Sequence, residues 1–401
     1  MNEKSAIQMV AYKTIAGQSY PIGSIGKSDL RLRVANTTED ECREYAATLE
    51  EMGYRRCAAR EISAGAEYAY NVNLYYAYEN ENSSISVFFD ASMRTVFITV
   101  EEKKAVPVAK AVGLSKPAIV APSFTQMELH DGMCYILQLS SGEYILVDGG
   151  AQREDAVERL YSILKEKSPT EKPKIALWIF THSDDDHIGL ATEFLRKYKD
   201  KVDVEAFSYQ FFDCDKVQVA MGDMPRMKAE IEAFEDAIAG GYPNATIYSL
   251  HTGQGYCYEG VEIEVLYSID DTFPYPYVSF NDVSAALKVK FASGKTLLLL
   301  ADCMTGACRD LADRYGDYLK SDILQVSHHG LIGGYKRLYQ IIDPEICFWP
   351  ISEKRFLGLK AGQRYQWCLG EGGCDYNAYL RDDTIRQRTH YTNSTTTTIE
   401  I

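Results

Sequence analysis

Lys174-Ile-Ala-Leu-Trp-Ile-Phe-Thr-His182-Ser-Asp184-Asp-Asp186-His187-Ile-Gly189 is the stretch whose reading decides the fold. Residues 174–180 are mostly apolar and predict a buried strand. The apolar run then stops, and residues 182–187 bring two imidazoles and three carboxylates. Gly189 follows, and a helical pattern of Leu190, Phe194, Leu195 and Tyr198 begins. A loop between the carboxyl end of a buried strand and a helix is a common functional site in α/β folds. So much charge in one loop is unfavourable without a compensating cation. A divalent metal is the simplest one, because His and Asp are good ligands for Zn²⁺ or Mn²⁺.

Working outward, two further apolar strands end in residues of the same kind. Thr296–Ala301 leads into Asp302, and Asp322–Val326 leads into Ser327-His328-His329-Gly330. Of the seven histidines in the chain, four lie at these strand ends, which argues against a scatter of unrelated core residues. Strand ends on one side of a sheet converge in space, whatever their separation in sequence. Upstream, Met133–Leu139 and Tyr144–Val147 predict a hairpin whose second strand ends in Asp148-Gly-Gly, and a helix is expected over 153–167. Downstream, residues 204–211, 245–250 and 261–267 read as strands, and 224–239 as an amphipathic helix ending at Gly240-Gly241. His251 follows one of these strands and is a weaker ligand candidate.

At 401 residues the chain has room for two domains, and 46% hydrophobic with 25% charged residues describes a globular protein. Residues 1–105 are expected to form a small α+β domain. In it, Thr38 and Glu41 have the form of a capping box, and Ile85, Val87, Phe89 and Val96, Ile98, Val100 alternate as in antiparallel strands. Tyr68, Tyr70, Tyr75, Tyr76 and Tyr78 are expected to fill sheet faces. Residues 106–118, with Pro107, Gly113 and Pro117, suit a linker, and 119–401 a second domain.

The net charge of −15 argues against a broad duplex-binding surface, which normally shows a basic stripe. It leaves room for a nucleotide, a short single strand or another small molecule, because bound metals supply local positive charge. Ten cysteines without a Cys-x-x-Cys pair suggest reduced thiols, and no run approaches a membrane span. A cytoplasmic location follows as the expectation.

Taken together, Asp148-Gly-Gly, His182-x-Asp184-x-Asp186-His187, Asp302 and His329-Gly resemble the successive motifs of the metallo-β-lactamase fold. Within it the pattern is similar to the nuclease-like domain of the competence protein ComEC and its stand-alone relatives. That group also has an Asn-x-x-Ser segment, here Asn281 to Ser284, and a closing segment echoed by Asn377 and the Thr-rich tail. The resemblance implies an α/β architecture, an αββα sandwich, preceded here by the small N-terminal domain. It implies two divalent metal ions, Zn or Mn.

By the resemblance, His182 and Asp184 hold the first ion, Asp186 and His187 the second, Asp302 bridges them, and His329 completes the second site, with His328 as its alternative. Asp148 would orient the histidine loop. The superfamily's third-motif histidine has no clear counterpart; Asn281 or Asp282 stands where it would fall. Asp184 replaces the loop's usual second histidine, which makes the first site oxygen-rich and favours a harder metal such as Mn²⁺.

Two such ions hold a bridging hydroxide suited to an in-line phosphodiester displacement. The expected activity is therefore a metal-dependent hydrolase of phosphodiesterase or nuclease-like type. Asp184 or Asp302 would shuttle the proton, with Asp186 holding metal and His328 near the leaving group. Two alternatives stand beside it: a hydrolase of a small ester, lactone or thioester, and a metal-poor, inactive binding or regulatory module.

Overall fold

The computed structural model describes residues 18–23, 29–65, 67, 72–102, 119–130, 132–215, 219–220, 222–272, 279–363 and 374–401. The expected linker at 106–118, and Tyr68 and Tyr70, lie outside them.

The first six strands are β1 (Gln18–Gly23), β2 (Asp29–Ala35), β3 (Arg55–Ser63), β4 (Val72–Glu79), β5 (Ser83–Asp90) and β6 (Thr95–Glu102). They form an antiparallel sheet in the order β1-β2-β6-β5-β4-β3. Helix α1 (Glu39–Glu51) starts at Thr38, whose hydroxyl caps Glu41 N–H while Glu41 reaches back to Thr38 N–H. Strand alternation sets the two faces apart. Leu32, Val34, Leu74, Tyr76, Val87 and Ile98 pack against Cys42, Tyr45 and Leu49 of α1. The opposite face, with Tyr75, Phe88 and Phe97, packs against the rest of the chain.

From residue 123 the chain builds two more sheets. The first contains β7 (Ser123–Gln126), β8 (Tyr135–Gln138), β9 (Tyr144–Val147), β10 (Lys174–Ile179), β11 (Asp203–Val204), β12 (Ala206–Tyr209) and β13 (Thr246–Ser249). Its parallel steps are joined by α2 (Glu154–Lys167), α3 (Asp185–Tyr198) and α4 (Met224–Gly241). The second contains β14 (Gly255–Tyr258), β15 (Val261–Tyr267), β16 (Ala286–Lys290), β17 (Thr296–Leu299), β18 (Ile323–Gln325), β19 (Ile346–Trp349) and β20 (Thr389–Thr392), in that spatial order. Its helices are α5 (Ile269–Thr272), α6 (Thr305–Tyr315), α7 (Lys336–Ile342), α8 (Glu353–Lys360) and α9 (Ala378–Arg381). The last strand, β21 (Thr397–Glu400), returns to pair antiparallel with β7 in the first sheet.

Ile145, Val147, Leu177 and Ile179 of one sheet meet Ile263, Val265, Leu287 and Leu299 of the other in a common core. Leu160, Phe194 and Phe234 cover the outer face of the first sheet, and Leu311, Tyr339 and Phe356 that of the second. This is the expected αββα sandwich. Because β8, β9 and β10 are buried on both faces, they read as near-continuous apolar runs.

One sequence expectation needs correction, at a glycine. Helix α3 starts at Asp185, ahead of Gly189, so Asp186 and His187 belong to its first turn. Gly189 serves packing: a Cβ there would lie 3.0 Å from Gln152 N. Helix α4 ends at Gly241, as expected from Gly240-Gly241.

Candidate metal centre

Strands β9, β17 and β18 run into sharp, sterically unfavourable turns at the candidate site. Asp148, Ala301, His328 and His329 all have positive φ, at 56°, 44°, 46° and 57°. Such conformations persist in non-glycine residues only when their surroundings hold them, and the surroundings are visible. Asp148 Oδ1 accepts from Thr181 N–H at 2.8 Å, and Asp148 Oδ2 lies 2.8 Å from His187 Nδ1. Gly149, next to it, lies so close to α3 that a Cβ would sit 2.5 Å from that of Ala191. At the second turn, the Gln325 carboxamide accepts from Ala301 N–H at 2.6 Å and donates to Ala301 C=O at 3.2 Å. It extends the ladder between β17 and β18 by one artificial rung and fixes the residue before Asp302. His328 N–H donates to the same carbonyl, at 2.8 Å. His329 Nδ1 lies 2.9 Å from Pro350 C=O, which leaves Nε2 facing Asp186 and Asp302.

These turns bring the distant residues together. His187 Nε2 lies 3.6 Å from Asp302 Oδ1 and 3.9 Å from Asp186 Oδ1. His329 Nε2 lies 3.0 Å from Asp186 Oδ2 and 3.4 Å from Asp302 Oδ2. His182 Nε2 stands 3.7 Å from Asp184 Oδ2, and His328 Nε2 3.5 Å from Asp302 Oδ2. Asn281 points its side-chain oxygen at His182 Nε2, Asp184 Oδ2 and Asp302 Oδ2, at 3.1, 3.3 and 3.2 Å. Two adjacent donor sets result: His182, Asp184 and Asn281, and Asp186, His187 and His329, with Asp302 between them. Asp282 turns back to accept from Ser279 N–H at 2.9 Å, closing the short turn that carries Asn281. His251 lies apart, with Nδ1 3.1 Å from Ser249 C=O and Arg31, Glu101 and Asp270 as its charged neighbours. Neither belongs to the donor sets.

The donor sets fit divalent cations. His187 Nε2 and Asp302 Oδ1 are buried, face each other and make no hydrogen bond. An amide oxygen directed at three acceptors is unfavourable unless a cation lies among them, or unless the amide turns over to donate from nitrogen to the same atoms. Protons show the same demand for positive charge. Burial would lower the His187 and His329 pKa values, but the surrounding carboxylates raise both, His329 to about 10. Burial would raise Asp302, yet His329, His328 and His187 hold it well below the carboxylate range. In the metal-free chain His187 and His329 are therefore protonated near pH 7, and an entering cation must displace those protons. Metal binding is expected to tighten as pH rises through neutrality toward the His329 value of about 10, above which that proton no longer competes. Calorimetry in buffers of different ionisation enthalpy should register released protons; uptake without release would contradict the assignment.

Among residues that sequence reasoning did not single out, Gln325 and Thr181 stand directly behind the cluster. The one available signal for Gln325 was a lone amide ending an apolar strand.

Residues 128–213, which include Asp148 and the whole 182–187 loop, match the family model of the metallo-beta-lactamase superfamily. No curated protein matches at a significant level. Among solved structures, the metallo-beta-lactamase fold protein YhfI from Bacillus subtilis is 14% identical, with a TM-score of 0.39, covering 70% of this chain and 100% of its own. A Cronobacter sakazakii metallo-beta-lactamase with a HARLDQ motif is 14% identical, with a TM-score of 0.30 and coverage of 50% and 76%. CmlA, a diiron beta-hydroxylase from Streptomyces venezuelae, is 9% identical, with a TM-score of 0.37 and coverage of 71% and 55%.

Proposed function

We propose that the chain is a dinuclear metal-dependent hydrolase acting on phosphodiesters, with a nucleotide or short single-stranded nucleic acid as substrate. The observation that carries this reading is the pair of adjacent donor sets sharing Asp302. His182, Asp184, Asn281 and Asp302 would hold one cation, and Asp186, His187, His329 and Asp302 the other. When bound, such a pair acidifies water and neutralises charge on both the attacking and leaving oxygens, the demand of an in-line phosphodiester displacement.

The chain's own residues supply the rest. Asp148 fixes His187 through Nδ1, so that only Nε2 is left for the centre. Burial keeps His328 neutral near pH 7, and its ring beside Asp302 is available to take up and return a proton. The oxygen-rich first set favours Mn²⁺ over Zn²⁺. The net charge of −15 favours a small substrate over a long polyanion. Among the described residues all cysteines are free thiols and no helix is long and apolar enough to cross a membrane, which suits the expected cytoplasmic setting.

Turnover of bis(p-nitrophenyl) phosphate with Mn²⁺ or Zn²⁺, run beside a panel of lactones and thioesters, tests the reading. Metal-dependent phosphodiester cleavage that Asp186→Ala abolishes is the expected result. Lactone or thioester turnover without phosphodiester cleavage would favour the small-ester alternative. Less than one equivalent of bound metal would favour a binding module.

A further inference from the structure

The buried face of the six-stranded sheet carries Arg31, whose side chain is 1% exposed. Its guanidinium pairs with Asp270 and donates to Gln210 Oε1 at 3.0 Å and to Leu250 C=O at 3.4 Å. The next carboxylate, Asp271, accepts from Ser268 N–H at 2.9 Å and Thr252 Oγ1 at 2.5 Å, and lies 2.9 Å from Arg314 Nη2. Arg314 in turn donates from Nε to Asp90 of β5 at 2.7 Å. Two consecutive aspartates are thus tied to the N-terminal sheet, one directly and one through Arg314.

Both lie in α5, a single turn of four residues that has no stability of its own. Ile269 of α5 shares a core with Val283, at the end of the short turn Phe280–Val283 that carries Asn281. That turn has a second support. Phe280 stacks on Phe212, with centroids 5.7 Å apart and planes at 18°, and Phe212 follows Gln210 by two residues. Arg31 therefore grips both supports at once, Asp270 on one side and Gln210 on the other.

We propose that Arg31 is a positioning residue for the metal centre, and that the N-terminal sheet is the seat on which the Asn281 turn is set. The inference rests on Asn281 being a ligand of the first cation. Lysine at position 31 keeps the charge opposite Asp270 but lacks the planar fork that reaches Gln210 and Leu250 as well. The combination Arg31→Met with Asp270→Asn removes both charges together and guards against an unpaired buried carboxylate.

The test titrates Mn²⁺ into the metal-free full chain by calorimetry, with thermal unfolding as the control for folding. Arg31→Lys and the neutral pair are expected to weaken one of the two ions about 10–100-fold and leave the other unchanged. Asn281→Ala should weaken the same ion. Arg31→Lys added to Asn281→Ala should produce no further loss, because the two act in series. Cooperatively unfolding Arg31 variants with full affinity for both ions would overturn the inference alone, and so would additive losses. Unchanged affinities in Asn281→Ala would overturn the ligand reading, and the inference with it.

Discussion

Asp302→Ala is expected to lower phosphodiester turnover by on the order of 10³-fold or more and to leave at most one equivalent of bound metal. Asp302 is buried between the two donor sets, with His187, His328 and His329 all within 3.6 Å of its oxygens. Its loss therefore touches both cation positions, whereas losing Asp184 or His329 touches one. Steady-state kinetics and metal analysis on the same preparation read the two effects. A variant that keeps two equivalents of metal and full turnover would remove Asp302 from the centre. Thermal unfolding on the same preparation controls for folding, because removing this buried carboxylate leaves the imidazoles around it with one counter-charge fewer.

Arg314→Met is expected to destabilise the chain by about 3–5 kcal/mol, the usual effect of stripping one partner from a buried ion pair. Arg314 is fully buried, with Asp90 at 2.7 Å and Asp271 at 2.9 Å, and it also donates from Nη1 to Leu266 C=O at 3.3 Å. Burial already pushes the Asp271 carboxyl above its usual range despite the guanidinium beside it. Without Arg314, two carboxylates are left in an apolar seam between the N-terminal sheet and the sandwich. Urea unfolding followed by tryptophan fluorescence measures the change in midpoint. Adding Asp271→Asn to Arg314→Met should recover part of the loss. An unchanged midpoint would show that the seam is wet.

The sandwich was legible in sequence because its central strands are buried on both faces and stand out as apolar runs. The candidate site was legible as a cluster because its residues end those runs. What stayed hidden follows from the same physics. Strand β2 alternates Leu30, Leu32 and Val34 with Arg31 and Arg33, so half of it looks solvent-facing, yet both arginines are buried. Strand β3 is a largely exposed edge, with no apolar face to announce it. Gly189 misled because a glycine needed for close packing inside a helix carries the same letter as one that stands before it. His251 looked like a ligand because it follows a strand of the first sheet, but that strand is the outermost one, away from the others that feed the centre. Asn281 and Asp282 could not be separated by composition. Only the turn's own closure decides which side chain is consumed locally and which is left to point outward.

The pairing of β21 with β7 has a consequence for biogenesis. Thr397 lies opposite Gln126, so a ribosome must translate some 270 further codons before the outer edge of the first sheet is covered. Throughout that interval β7 offers a row of open peptide groups to any neighbouring nascent chain. Maturation should accordingly depend on chaperone occupancy late in synthesis, more than on how fast the early hairpin closes.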